Sequence, residues 1–334
     1  MKIAVDAMGG DHAPEEIVKG AIEAARDYGI PTVLVGIKEQ IEQELAKNSY
    51  SGSLLEVYHA SEVVQMDEHP ATAMRRKPDS SLVVAANMVK RGEAQAMVSA
   101  GNTGATMAVA TLKLGRIKGI DRPAISSFLP TKCGQAVIVD AGACVDCSAE
   151  NLLQFGIMGS QYVERVLGVE RPKVGLLSIG EEPTKGNELT KSANEALSRE
   201  PGLNFIGNVE GKEIFQGMVD VVVCDGFDGN IVLKISEGIG EFLLSSIKDE
   251  ISGSLWAKIG AWFMMPALKR FNVKLDYAEY GGAPLLGIDG VCIIGHGRSN
   301  AKAARNAIRA AAEAVKNDVV GCITEAVHMH RAAV

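Results

Sequence analysis

Short runs of apolar, largely β-branched residues recur along the chain, and between them the apolar positions spread out to helical spacing. The runs are 3–6, 32–36, 54–58, 96–99, 136–140, 173–177, 219–223 and 291–295. Several are apolar at successive positions instead of alternate ones, the pattern of strands covered on both faces. Helical periodicity fills 14–27, 80–91, 103–114, 150–167, 230–251 and 300–316. Strand and helix in alternation predict an α/β fold with a mostly parallel sheet and helices on both sides. Ligands in such folds gather beyond the carboxyl ends of the strands. No repeat, low-complexity tract or linker marks a boundary. The chain therefore reads as one unit over 1–334, with two closely packed subdomains as the alternative.

Glycine-rich turns follow these strand ends, and glycine is enriched, at 36 of 334 residues against an average of about 7%. The opening strand runs into Asp6-Ala7-Met8-Gly9-Gly10-Asp11-His12-Ala13-Pro14. Gly-Gly suits a tight turn, Asp11 is a candidate helix cap, and His12 is left where a ligand could sit. The spacing is not that of a dinucleotide-binding first turn. Ser99-Ala100-Gly101-Asn102-Thr103-Gly104 predicts a turn into a helix near Thr103. Its backbone N–H groups and polar side chains suit an anion. Ser178-Ile179-Gly180-Glu181-Glu182-Pro183-Thr184-Lys185-Gly186-Asn187 is a third such turn, with Lys185 as a partner for a phosphate or a developing oxyanion. Cys224-Asp225-Gly226-Phe227-Asp228-Gly229-Asn230, Tyr280-Gly281-Gly282-Ala283-Pro284-Leu285-Leu286-Gly287 and Gly295-His296-Gly297-Arg298-Ser299-Asn300 complete the set. Each of these turns also has a plain reading as a cap or a solvated loop.

Composition narrows the function. A net charge of −7 argues against a nucleic-acid partner. The six cysteines lie mostly in apolar runs and read as reduced thiols. Cys144 and Cys147 have redox or zinc spacing without a second pair, and His328 and His330 have an equally small claim to a metal. No signal peptide opens the chain and no apolar run is long enough to span a bilayer, so the expected location is cytoplasmic. Residues 253–271 stand apart, because both tryptophans, Trp256 and Trp262, fall there. Leu255, Ile259, Trp262 and Phe263 keep helical spacing, Pro266 interrupts them, and Lys258, Lys269 and Arg270 flank them. Such a helix suits a core or dimer interface, or a membrane headgroup contact.

Taken together, the motifs resemble the PlsX family of bacterial phosphate acyltransferases. The resemblance runs in order through IAVDAMGGDHAP at 3–14, SAGNTGA at 99–105, IGEE with Lys185-Gly186, CDG with Gly229-Asn230, YGGAPLLG at 280–287 and His296-Gly297 with Ser299. It departs at Cys144, where Asn is expected, and at Asp228, where an apolar residue is expected. The resemblance implies a three-layer α/β/α fold like that of isocitrate and isopropylmalate dehydrogenases, shared with phosphate acetyltransferases. It implies transfer of an acyl group from acyl carrier protein to inorganic phosphate, feeding phospholipid synthesis. A homodimer and peripheral membrane contact beside the downstream glycerol-phosphate acyltransferase also follow from it.

That chemistry fits the residues. Phosphate is ionised at neutral pH and a thiol leaving group has a pKa near 8.5, so neither needs a strong acid or base. Positioning and oxyanion stabilisation remain. Asn102, Thr103 and Ser299 with the backbone at Gly101 and Gly104 are the candidate phosphate ligands, and His12, Asp225 and Asn230 are further candidates for substrate contact. Lys185 and His296 are the candidate catalytic residues. Leu255, Trp256, Ile259, Trp262 and Phe263 are the candidate membrane contacts. No metal or cofactor is expected. An acyl-CoA enzyme of the phosphate acetyltransferase kind, a dehydrogenase on the same fold and a membrane-bound scaffold are the alternatives.

Overall fold

In the computed structural model, which describes residues 1–70 and 75–333, the eight apolar runs and three further strands assemble into a single sheet of eleven strands. The order across it is β3-β2-β1-β4-β11-β10-β5-β6-β9-β7-β8. Five strands form one parallel block: β1 (Ile3–Asp6), β2 (Thr32–Gly36), β3 (Leu55–His59), β4 (Ala96–Ser99) and β11 (Val291–Ile294). Four form another: β6 (Gly134–Val139), β7 (Lys173–Leu177), β8 (Asn204–Val209) and β9 (Val221–Val223). Between them lie β10 (Ala283–Leu286) and β5 (Ala124–Thr131), joined to their neighbours by three antiparallel pairings. Three reversals make the two parallel blocks run in opposite directions. Their loops at the carboxyl ends therefore leave opposite edges of the sheet.

The all-apolar strands are buried on both faces, as their composition requires: β1, β2, β4 and β9 expose no residue. The helices that cover the sheet include α1 (Glu15–Tyr28), α2 (Lys38–Lys47), α3 (Ser81–Lys90), α4 (Thr103–Lys113), α5 (Ala149–Tyr162), α6 (Glu188–Arg199) and α7 (Gly211–Ile214). After a long pair, α8 (Gly226–Gly253) and α9 (Leu255–Leu275), come α10 (Ala301–Lys316) and α11 (Val319–Ala333). Ile3, Val5, Leu34 and Val98 meet Ala304, Ile308 and Ala311 of α10 in one core. Val137, Val139, Val221 and Val223 meet Leu152, Phe155 and Met158 of α5 in another.

Several sequence expectations shift. The 280–287 segment is not simply a turn, because Ala283–Leu286 is the strand that pairs with both β11 and β5. Pro266 does not interrupt its helix, which runs unbroken over Leu255–Leu275. Asp11 caps nothing: Pro14 stands at the N-cap of α1 without a side-chain bond, and the Asp11 amide donates to the Gly297 carbonyl at 2.7 Å. The last five residues of the 150–167 helix, Val163–Leu167, wind as a π-turn. Among the described residues no helix is long and apolar enough to cross a membrane.

Candidate active site

Three loops meet where β1, β4 and β11 end. The backbone ties them directly: Gly295 N–H donates to the Ser99 carbonyl at 2.8 Å, and Asp11 N–H bonds the Gly297 carbonyl. Gly9 must be glycine for the first two to close, since a Cβ there would stand 2.5 Å from Asp6 Oδ2 and 2.8 Å from the Gly101 nitrogen. His12, Gly101, Asn102, Thr103, Gly104, His296 and Ser299 are thereby gathered on neighbouring loops.

Their side chains are not equally free. Asn102 caps α4, its Oδ1 accepting the Ala105 amide at 2.9 Å, and its Nδ2 donates to the carbonyls of Met66 at 2.8 Å and Glu68 at 3.0 Å. Its amide is thus spent on shaping the loop and holding the 66–68 segment over it. Thr103 and Gly104 open the helix with N–H groups that no turn of α4 can satisfy, and the Thr103 side chain is exposed. This is where an anion finds donors and the positive end of the helix dipole. Ser299 is buried, its N–H donating to the His296 carbonyl at 2.9 Å, and Asn300 caps α10. His12 and His296 are exposed. His296 Nδ1 accepts the Arg298 amide at 3.3 Å, which in the neutral ring leaves the proton on Nε2.

Asp225, Asn230 and Lys185 lie in the other block. Asp225 caps α8, accepting the Asp228 amide at 2.8 Å, and Asn230 packs beside Gly142. Lys185 is exposed on the loop after β7, its N–H bonded to the Glu182 carbonyl at 2.9 Å. These loops follow strands that run opposite to β11, which carries His296 at its end.

Sequence reasoning passed over two buried carboxylates. Asp6 ends β1 and Asp140 follows β6, each closing an apolar run. Asp140 accepts the amides of Ile125, Gly142, Ala143 and Cys144 at 2.6–3.1 Å. Burial pushes both carboxyls above the usual range, opposed by these amides at Asp140 and by Ser81, Ser99, Met8 and Gly9 at Asp6. The available signal was the acid itself: a carboxylate at the end of an all-apolar strand must find donors. Burial also pushes the Cys147 and Cys224 thiols up, so neither offers a ready thiolate at neutral pH. His330 is paired with Glu200 at 2.5 Å. Among the described residues no cluster of His, Cys, Asp or Glu is arranged for a metal ion.

The fold is that of the phosphotransacetylases. A Streptococcus pyogenes phosphotransacetylase superposes with a TM-score of 0.66 at 18% identity, covering 95% of this chain and 94% of its own. A 4-hydroxythreonine-4-phosphate dehydrogenase from Burkholderia phymatum reaches 0.50 at 15% identity over 93% and 96%. Sequence is more specific: a model of the family described as Fatty acid synthesis protein matches residues 1–321. The phosphate acyltransferase of Pelotomaculum thermopropionicum is 57% identical over 95% of this chain and 92% of its own length. That of Geobacter sulfurreducens is 54% identical over 96% and 92%. The chain belongs to this fatty acid synthesis protein family.

Proposed function

We propose that the protein is an acyltransferase that moves a fatty acyl group from acyl carrier protein to inorganic phosphate, the acyl phosphate serving phospholipid synthesis. What carries this reading is the meeting of the 9–12, 99–104 and 295–299 loops around the start of α4, in a chain of this family. Phosphate binds at the Thr103 and Gly104 amides with the Thr103 and Ser299 hydroxyls, on a loop that Asn102 shapes. Its oxygen attacks the thioester carbonyl, the carbon–sulfur bond breaks, and carrier thiolate leaves. His296 Nε2–H stabilises the oxyanion as a hydrogen-bond donor, and the departing thiolate takes its proton from water. Incubating the pure protein with palmitoyl-carrier protein and phosphate should release free carrier thiol only when phosphate is present. Release that ignores phosphate sinks the reading.

Asn102→Ala and Thr103→Ala should each raise the phosphate requirement more than the carrier requirement. Unchanged phosphate dependence in both removes the loop from the site. Lys185, from the other block, is the proposed positive charge at the thioester, with Asp225 and Asn230 on the acyl-carrier side. Lys185→Ala is expected to lose most turnover, and full turnover at saturating substrates excludes it.

The active form is a homodimer in the cytoplasm, in peripheral contact with the membrane and with the downstream glycerol-phosphate acyltransferase. Two features of the long helices support this. Phe227, Ile231, Ile235, Ile239 and Phe242 form an exposed stripe on α8 suited to a second copy. Leu255, Trp256, Ile259, Trp262 and Phe263 are exposed on α9.

A further inference from the structure

Asp6 has no place in the chemistry above, yet it stands between two of the loops that do. Its Oδ2 accepts the Ser99 hydroxyl at 2.7 Å and its Oδ1 the Met8 amide at 3.3 Å, and the Gly9 amide and Ser81 hydroxyl also bond it. With its proton given to Asp6, the Ser99 oxygen presents lone pairs to the Gly101 amide at 3.2 Å. The Thr106 hydroxyl lies 3.5 Å from the same oxygen and donates to the Asn102 carbonyl at 3.0 Å. Hydrogen bonds thus run from the end of β1, through Ser99 at the end of β4, to the Gly101 peptide just before α4, and Thr106 of its first turn lies against the same Ser99 oxygen. Asp6 is 3% exposed and Ser99 not at all, so water cannot replace either partner.

We infer that Asp6 is a positioning residue for phosphate. Through Ser99 it fixes the Gly101 peptide and the first turn of α4, and through Met8 and Gly9 it fixes the facing loop at the matching distance. The inference rests on the assignment of 99–104 as the phosphate loop. An amide in place of the carboxylate would turn an N–H toward Ser99, reverse its hydroxyl and aim a proton at the Gly101 N–H. Alanine at 99 cuts the chain outright. In both cases the loop relaxes while the surfaces that meet the acyl carrier stay as they are.

The experiment varies phosphate and palmitoyl-carrier protein separately in thiol-release assays on the full chain, for wild type, Asp6→Asn, Ser99→Ala and Thr103→Ala. It also reads the rise in melting temperature that phosphate gives each. Asp6→Asn and Ser99→Ala are expected to raise the phosphate KM about tenfold or more, to shrink the phosphate-dependent rise in melting temperature, and to leave the carrier KM within about twofold. If Asp6→Asn does not fold, Ser99→Ala decides. A general fall in turnover with the phosphate KM unchanged, or both KM values rising together, overturns the inference and leaves the phosphate loop standing. If Thr103→Ala keeps wild-type phosphate dependence, the loop assignment has failed and the inference falls with it.

Discussion

His296→Ala is expected to lower turnover about 10²–10³-fold, the loss typical of removing one oxyanion donor. The reaction itself assigns the weight to this term. A phosphate oxygen is already a competent nucleophile, and a thiolate already a competent leaving group, so proton transfer leaves little of the barrier to remove. The charge that builds on the carbonyl oxygen remains, and it needs a fixed donor. His296 is the proposed donor: the Arg298 amide occupies Nδ1, so the neutral ring carries its proton on Nε2. The ring is exposed at the end of β11, outside the apolar cores, so its loss should leave melting behaviour close to wild type. Steady-state turnover at saturating phosphate and palmitoyl-carrier protein tests this. A variant that keeps nearly full turnover removes His296 from the chemistry, whatever its effect on KM.

The strands read most easily from sequence were those buried on both faces, such as Ile3–Asp6 and Ala96–Ser99, because burial leaves no polar position before the last residue to break the run. Three were missed: the edge strand β8, whose Asn204, Gly207 and Asn208 break the apolar run, and the two strands that join the blocks. β5 carries Ser126, Ser127 and Pro130, and β10 is four residues long with Pro284 inside and glycines on both sides. Local composition there says turn. Pairing with β11 at one end and β5 at the other makes it strand, a tertiary effect that propensity cannot contain. The site followed the same division. That Asn102 would open a helix was legible from Gly-Asn-Thr-Gly, but its hold on the Met66 and Glu68 carbonyls was not. The partners lie more than thirty residues away in sequence. Nor could the sequence say that Lys185 and His296 come from blocks of opposite direction, since that depends on the three reversals at β10 and β5.

The long helices place the second large effect. Arg298, two residues past His296, pairs with Glu241 of α8 at 2.8 Å, and Lys302 in the first turn of α10 pairs with Asp276, just after α9, at 2.7 Å. These two pairs form a base: α8 is held near its middle by the loop that carries His296, and α9 at its end by the helix that follows that loop. Beyond that base, Leu255, Trp256, Trp262 and Phe263 are each about 70–80% exposed, and residues 255–275 contain Lys258, Lys269, Arg270 and Lys274 but no acid; the side chains of Lys269 and Lys274 lie outside the described residues. An aromatic, cationic surface of this kind partitions into an anionic headgroup layer, each basic residue adding about 1 kcal/mol. Burying one large apolar side chain adds about 1.5–3 kcal/mol, and in a dimer every contact occurs twice. Wild type should bind anionic liposomes reversibly and release as salt rises. Trp262→Glu or Ile259→Glu should weaken that binding about a hundredfold or more, while activity on soluble palmitoyl-carrier protein persists. Wild type that never sediments with liposomes, together with variants that unfold or fall to monomers, would assign α9 to the subunit interface instead. An acyl phosphate released beside such a surface could pass its chain into lipid without crossing water, which is why binding and soluble activity should separate so cleanly in these variants.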